Sequence, residues 1–518
     1  MGADNASTYN AAAWLLDRQI TSGRADAVAI RTGGTAITYA AVQRDVFRAQ
    51  HALTELGVRP GERVLLVLDD DPSFPAWFLG CLRSGVVPVP ASTMLVATDL
   101  AAIAADCGAL VAVVSAGYAE HLPAVTLGAA AMRHAVVVGA MGVDAEVPIR
   151  TWDSFDDRSE APVAATTTDS SGFWLYSSGT TGLPKGVMHR HGSLQATYDT
   201  YATRVLEIAP DDRCLSVAKL FFAYGLGNSL TFPFGAGATA VLEPSRPTPA
   251  RYVDLVRTER PTLFFAAPGF VAALLDADVP TDTFASVRAT ITAGEALPAD
   301  LQKRFSERFG HPVLDGIGTT EALHIFVSNT LAGQRPGSSG RIVPGYRARL
   351  LADDGAPVTE PDTPGYLQVQ GPSIATGYWN RPEATAAAFQ DGWLRTGDVY
   401  THSADDCWTF LGRSNDMIKA GGIWVSPAEV ESVLITHPDV LEAAVVGARN
   451  AAGLEETVAF VVARAGRTIE PAAIDAHCRS AMASFKRPRR LIVVTELPKT
   501  ATGKIQRFAL RNTLADAR

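Results

Sequence analysis

The sequence predicts an α/β fold in which a large N-terminal section of alternating strands and helices gives way to an antiparallel β section and then to a small α+β module. Three observations lead there. The apolar run 63–68 is followed by helical apolar spacing over 74–84 and a second strand-like run over 85–90. A strand-helix-strand unit of that size implies a parallel sheet with crossover helices. From about Gly340, short strand-like runs at 348–351, 365–370 and 407–411 succeed one another with no helix between them, as in an antiparallel barrel or a distorted sheet. The last hundred residues read as helix 427–434, strands 440–446 and 456–462, helix 471–482 and strand 491–494, enough for a small domain.

Within the first section, 111–114 and 135–138 continue the strand pattern, and the Asp-, Ser- and Thr-rich stretch 154–171 is expected to be a loop. Residues 173–176 are strand-like, and strand 238–242, helix 250–259 and strand 262–265 follow. The polar, turn-prone stretch 413–416 is the natural place to divide the chain, giving expected domains of 1–415 and 416–518.

Bulk composition narrows the function. At 518 residues the chain is long enough for more than one core, and 47% hydrophobic against 19% charged residues is the balance of a globular protein. A net charge of −9 argues against a general nucleic-acid binder, which needs a basic surface to displace counterions. It leaves room for a local basic pocket. The five cysteines, Cys81, Cys107, Cys214, Cys407 and Cys478, lack metal-ligand or redox-pair spacing, so buried reduced thiols are expected. His189 and His191 have a possible metal spacing, but no third ligand stands nearby and no metal is assigned to them. No secretory signal or ~20-residue apolar span is read, so a cytoplasmic protein without membrane contact is expected, as monomer or homodimer.

The densest chemistry lies in Tyr176-Ser-Ser-Gly-Thr-Thr-Gly-Leu-Pro-Lys-Gly-Val-Met-His189. Its hydroxyls (Ser177, Ser178, Thr180, Thr181), glycines (Gly179, Gly182, Gly186) and cation Lys185 describe a loop able to wrap a polyphosphate. It is not a Walker loop, because Lys185 follows a proline and precedes a glycine. A mobile Gly/Ser/Thr linker is the other reading, and the Pro-Lys-Gly-Val ending speaks against it.

Downstream, Ile291-Thr-Ala-Gly-Glu-Ala-Leu-Pro298 is strand, tight turn and helix start. Taken alone, it can hydrogen-bond a heterocycle edge or be a plain turn. In Asp315-Gly-Ile-Gly-Thr-Thr-Glu-Ala-Leu-His324, two glycines let the backbone lie flat on a planar base, Thr319 and Thr320 can donate to an α-phosphate, and Glu321 can hold Mg²⁺. A Gly/Thr turn capped by glutamate is the competing reading. Gly392-Trp-Leu-Arg-Thr-Gly-Asp398 offers a carboxylate on a rigid turn, suited to two ribose hydroxyls. Leu411-Gly-Arg-Ser-Asn-Asp416 and Pro498-Lys-Thr-Ala-Thr-Gly-Lys504 complete the series.

This ordered set resembles the core motifs of the adenylate-forming superfamily of acyl-CoA synthetases, aryl-CoA ligases, luciferases and adenylation domains. The resemblance implies an N-terminal domain of two α/β subdomains plus a β-barrel, with a small C-terminal domain that swivels about Asp416. Carried over, Ser177 to Lys185 would hold the ATP phosphates, Thr320 and Glu321 phosphate and Mg²⁺, and Asp398 and Arg413 the ribose. Gly294, Glu295, Ala296, Asp315, Gly316 and Ile317 would surround the adenine, and Lys504 would reach the acyl carboxylate and the α-phosphate. Ile317 stands where many relatives carry a stacking tyrosine, so apolar packing would replace stacking.

Within the superfamily the chain is most similar to benzoate-CoA and related aryl-CoA ligases. That implies Ala223 and Tyr224 lining the acyl pocket and Phe222 as an aromatic gate to the thiol channel. The paired Gly421 and Gly422 suit a narrow channel wall for a pantetheine arm, and a plain turn explains them equally well. His324 would lie near the carboxylate, and Gly318, Ile325 and Ile317 beside a flat ring. A core histidine and a buried apolar strand are the structural readings of the same residues. No aspartate near Phe222 offers to hold an amino-acid ammonium, which favours an uncharged aromatic acid such as benzoate. The basic cluster Lys486-Arg-Pro-Arg-Arg490 could meet coenzyme A phosphates or an acidic carrier protein bearing phosphopantetheine. A catalytically silent nucleotide binder is the rival class, and it would have no use for Lys504.

Overall fold

A computed structural model of the protein describes residues 8–140, 142–177, 184–420, 423–449, 455–499 and 505–516. The strand-helix-strand unit is present as Arg63–Val67, the helix Ser73–Arg83 and Val87–Pro90. It belongs to a five-stranded, all-parallel sheet ordered Val87–Pro90, Arg63–Val67, Val111–Ser115, His134–Val138, Ile149–Thr151. Parallel strands buried on both faces need apolar side chains at consecutive positions, which is why 64–67 is Val-Leu-Leu-Val and wholly buried. Helix Ser73–Arg83 is likewise buried along its length, with Phe74, Trp77 and Phe78 in the core. Removing a side chain such as Trp77 would cost about 3–5 kcal/mol.

A second sheet has nine strands. Its parallel centre is ordered Val28–Thr32, Thr239–Val241, Arg213–Ser216, Leu263–Ala266, Ala289–Thr292, Val313–Gly318, and antiparallel strands finish both edges. Strand order reverses at Arg213–Ser216, since the chain goes next to one side (Thr239–Val241) and then to the other. The five-stranded sheet reverses in the same way at Arg63–Val67. Such switch points open a crevice beyond the strands' carboxyl ends.

The strands of the section from Gly340 are antiparallel as expected, but the section is not free of helix: Pro382–Ala388, opened by a proline in its first turn and rich in alanine, forms one between the strands Gly377–Tyr378 and Phe389–Gln390. Arg347–Leu351, Gly365–Gln370, Trp393–His402 and Trp408–Arg413 pair in turn, with a short strand Phe389–Gln390 on Trp393–His402 and bulges that distort the sheet. The expected phosphate loop leaves the strand Ser171–Ser177 and re-enters as Lys185–Arg190, its antiparallel partner, while Gly377–Tyr378 pairs on the outer side of Lys185–Arg190. In the last hundred residues, Val440–Arg449, Glu455–Ala463 and Arg490–Val494 form one sheet, backed by helices Pro427–Ile435, Pro471–Ala481 and Arg507–Asp516. The final helix was not anticipated. Among the described residues, the two apolar cores there are built from residues 418 to 514 and draw on nothing earlier. All five cysteines are free and buried. Among the described residues no helix is long and apolar enough to cross a membrane.

Candidate active site

The strands of the nine-stranded sheet deliver the site. Ser216 ends one strand, Thr292 the next but one, and Gly318 the strand beside that, so the segments 217–224, 293–296 and 319–324 all leave the carboxyl edge together. Gly294 has φ +97°, a conformation only glycine adopts without strain, and nothing lies within 4 Å of where its Cβ would stand. The turn that carries Glu295 and Ala296 therefore has open space beside it.

On one side of this edge the groups are charged. Lys185 Nζ lies 5.2 Å from the centroid of the Tyr378 ring, and the Tyr378 hydroxyl donates to Glu321 Oε1 at 2.9 Å. The cation at the end of the expected phosphate loop and the expected Mg²⁺ carboxylate are thus brought to one tyrosine. Thr320 and Glu321 lie in a single short helical turn, Thr320–Ala322, in which the Thr319 hydroxyl caps by accepting from Ala322 N at 3.2 Å. The Thr320 carbonyl accepts from His189 Nε2 at 2.8 Å, and the His189 ring stacks on Phe173 at 5.1 Å. Burial holds His189 near pKa 4, hence neutral. It is a strut between the loop's strand and the Thr320 turn. His191 accepts from Ala11 N through Nδ1.

Asp398 departs from expectation in its setting: it lies inside the ten-residue strand Trp393–His402, not on a turn. Its cross-strand partner is Arg413, whose Nε stands 3.1 Å from Asp398 Oδ1. The Arg413 guanidinium also donates to the Thr396 carbonyl at 3.0 Å. Asp398 is buried and Arg413 half exposed, so the arginine is the outer of the two. Strand pairing alone brings together two residues expected at the ribose.

The two glycines of Asp315-Gly316-Ile317-Gly318 have a different cause from a flat approach to a base. A Cβ on Gly316 would stand 2.9 Å from the Val327 carbonyl and the Ile325 side chain, and one on Gly318 only 2.5 Å from the His324 carbonyl. Both face the returning strand Ile325–Ser328, and that close packing excludes any side chain. Asp315 is also turned inward: the Thr292 hydroxyl donates to it at 2.9 Å, and burial lifts its carboxyl to about pKa 8. Its contribution to an adenine site would come from its backbone position.

The other side of the edge is neutral and apolar. His324 sits among the rings of Tyr201, Tyr224 and Phe232, with centroids 5.3, 5.4 and 4.5 Å away. Its Nε2 is 3.2 Å from Asn228 Oδ1, and its Nδ1 is buried with no hydrogen-bond partner. Desolvation drives its pKa down to about 3. Tyr224 donates to the Ile291 carbonyl at 3.0 Å, and burial raises its phenol well above the usual value. A Cβ on Gly227 would fall 2.3 Å from the His324 ring, so helix and histidine are in direct contact. Ile325 is buried, while Ile317 and Phe222 are half-buried. The structure brings His324 and Tyr224 together, each with its chain neighbour, Ile325 and Ala223.

Tyr378, Asn228 and Tyr201 were not anticipated, nor was Asp106. Asp106 accepts from the Tyr176 hydroxyl at 2.6 Å and from Arg381 at 2.8 Å, bracing the strand that enters the phosphate loop. No local pattern marks these residues; their roles arise from pairing between distant segments. Ser178, Gly179, Thr180, Thr181, Gly182, Gly421, Gly422 and Lys504 lie outside the described residues. Asp416, the expected hinge, accepts from Arg511 of the last helix at 2.9 Å. An exposed ion pair, Arg464 to Asp276 at 2.9 Å, links the C-terminal unit to the helix Pro268–Asp276.

Among the described residues no cluster of three or more His, Cys, Asp or Glu could enclose a metal ion. Glu321 beside threonine hydroxyls fits a hard cation that takes its remaining ligands from phosphate and water, the manner in which Mg²⁺ is commonly held.

Comparison with known proteins identifies the family. The family model for AMP-binding enzymes matches residues 16–379, and that for the AMP-binding enzyme C-terminal domain matches 429–504. The benzoate–CoA ligase of Thauera aromatica is 44% identical over 97% of this chain and 96% of its own length. The 4-hydroxybenzoate–CoA/benzoate–CoA ligase of Rhodopseudomonas palustris is 40% identical over 97% and 94%. Among solved structures, the anthranilate CoA ligase AuaEII in complex with anthranoyl-AMP superposes with a TM-score of 0.93 at 36% identity, covering all of both chains. A benzoate CoA ligase from Burkholderia xenovorans LB400 gives 0.89 at 39% identity, over 97% of this chain and 100% of that one. This chain belongs to the AMP-binding, adenylate-forming enzyme family.

Proposed function

We propose that the protein is an AMP-forming aryl-CoA ligase that activates benzoate or a close analogue. The carboxylate attacks the α-phosphorus of ATP, pyrophosphate leaves, and the thiol of coenzyme A then displaces AMP to give the aryl thioester. The observation that carries this reading is the meeting, at one sheet edge, of a charged group of residues with a neutral aromatic one. Similarity over nearly the full length to benzoate–CoA ligases supports it.

The chain's own residues divide the work. The loop Ser177 to Lys185 grips the phosphates, with Lys185 held over Tyr378. Asp398 accepts from the ribose hydroxyls and Arg413 closes over them. Gly294, Glu295 and Ala296 flank the adenine with Gly316 and Ile317. Glu321, with Thr319 and Thr320 beside it, would hold Mg²⁺, which when bound offsets phosphate charge. His324 meets the substrate carboxylate through Nδ1. The neutral tautomer with its proton on Nδ1 would donate to the carboxylate without the ring gaining charge. A buried polar atom left alone costs about 1–3 kcal/mol, and the substrate supplies the missing partner.

Lys504 arrives from the C-terminal domain to neutralise the joining anions. At an effective dielectric of ~20, two unit charges ~4 Å apart interact by ~4 kcal/mol. Domains 1–415 and 416–518 swivel about Asp416 between the two half-reactions, and the confinement of both C-terminal cores to residues 418 to 514 supports that division. Phe222 separates the ring pocket from a thiol channel walled by Gly421 and Gly422.

The test is product analysis. Incubated with benzoate, ATP, Mg²⁺ and coenzyme A, the protein should give benzoyl-CoA, AMP and pyrophosphate in equal amounts by mass spectrometry. Formation of ADP, or no thioester with any aryl acid, would overturn the reading.

A further inference from the structure

The two switch points of the fold meet at one hydrogen bond. Asp70 follows the strand Arg63–Val67 at the carboxyl edge of the five-stranded sheet, and Leu220 follows Arg213–Ser216 at that of the nine-stranded sheet. The Leu220 N–H points into the Asp70 carboxylate, 3.1 Å from Oδ1 and 3.3 Å from Oδ2. Asp70 is only 3% exposed, and this N–H is the one hydrogen-bond donor it has among the described residues. A carboxylate is costly to bury on a single backbone donor. Nothing in the first half-reaction as described uses it.

The neighbouring charges are occupied elsewhere. On the same loop, Asp69 accepts from the Tyr118 hydroxyl at 2.8 Å, and Asp71 accepts from Ser73 N at 2.8 Å. Lys219 donates to the carbonyls of Glu243 and Ser245. Tyr252, on the helix Pro249–Glu259, donates to the Ser216 carbonyl at 3.1 Å. Asp70 alone is aimed at the segment leading into the acyl pocket.

That segment cannot shift piecemeal. Phe222 N donates to the Lys219 carbonyl at 3.0 Å, Leu226 N to the Phe222 carbonyl at 2.8 Å, and a Cβ on Gly225 would stand 2.0 Å from the Lys219 carbonyl. Fixing Leu220 therefore fixes Phe222, Ala223 and Tyr224. We infer that Asp70 is a positioning residue for the acyl site, holding the 220–224 turn so that the ring pocket and the Phe222 gate keep their shape when an aromatic acid binds. The inference rests on the aryl-acid reading above and extends it to a residue of the N-terminal sheet.

Burial lifts the Asp70 carboxyl to about pKa 7, opposed by Lys219 and by the Leu220 N–H, and assisted by Asp69 and Asp71. The ionised form accepts more strongly than the protonated one, so the grip on Leu220 weakens as pH falls through 7. A benzoic acid stays ionised throughout that range.

The experiment compares wild type, Asp70→Asn and Asp70→Ala in full-length protein, measuring KM for benzoate and for ATP from pH 6 to 8. In wild type, KM for benzoate should rise several-fold from pH 8 to 6 while KM for ATP changes little. Asp70→Asn, which keeps an acceptor oxygen for Leu220, should bind benzoate within a few-fold of wild type with no such slope. Asp70→Ala should raise KM for benzoate about tenfold or more at pH 8, leaving KM for ATP within twofold. If Asp70→Ala does not fold, the slope in Asp70→Asn decides. An unchanged benzoate KM in Asp70→Ala, parallel changes for both substrates, or persistence of the slope in Asp70→Asn would overturn the inference. Failure of wild type to use benzoate would instead count against the proposed function.

Discussion

On the nucleotide side of the site, Asp398 faces Arg413 across paired strands, and Lys185 shares Tyr378 with Glu321. On the acyl side, beside Glu321 at the carboxyl edge of the nine-stranded sheet, His324, Tyr201, Tyr224 and Asn228 pack without a single formal charge. Burial reinforces the contrast by holding the imidazole neutral and the phenols protonated. Under the proposed function, charge stands where a triphosphate would be gripped and is excluded where a ring would lie. A flat acid with one carboxylate suits such a site, because its charge can be directed to the boundary between the two regions while the ring stays among apolar groups.

The comparison is broken most severely from the charged side. Lys504→Ala should slow adenylate formation by about 10²–10³-fold, as for loss of a preorganised charge-stabilising donor, measured by ATP–pyrophosphate exchange. Near-normal exchange would remove the lysine from the chemistry. On the neutral side, His324→Ala should raise KM for benzoate by about 10–100-fold through loss of a hydrogen bond to a charged group, with KM for ATP unchanged. Gly227→Ala forces a methyl against the same imidazole, an overpacking cost of about 1–3 kcal/mol. It should weaken benzoate about tenfold in a binding titration and leave nucleotide binding alone.

The smallest effect concerns stability. Asp315 has its carboxyl raised from 3.8 to about 8 by burial, so between those values the native state holds a proton that the unfolded chain has released. Its contribution to stability is complete below about pH 4 and is lost as pH rises through 8. Asp315→Asn removes that loss. Urea midpoints should therefore show the variant gaining on wild type from pH 5 to pH 8, and a constant difference would contradict the burial argument.

Much of this architecture could be read from the chain because parallel strands need unbroken apolar runs, and residues 64–67, 111–114 and 135–137 supply them. Candidate site residues could be named where chemistry and local sequence coincide, as in Glu321 beside two threonines. Tyr378 escaped notice because its meaning depends on Lys185 and Glu321, nearly two hundred and nearly sixty positions away. Asp398 was expected on a rigid turn and lies instead within the strand Trp393–His402, opposite Arg413. The glycines of 315–318 were noticed for a base and are needed for the neighbouring strand. In each case the missing information was a partner brought close by tertiary pairing.

The separation of charge is tested most directly by ATP–pyrophosphate exchange with three acids of similar size: benzoate, terephthalate with a second carboxylate on the ring, and phenylalanine with an ammonium. The account predicts robust exchange with benzoate and rates at least about 10²-fold lower with the other two, since an unpaired charge would have to enter the neutral pocket. Comparable exchange with either charged acid would contradict it.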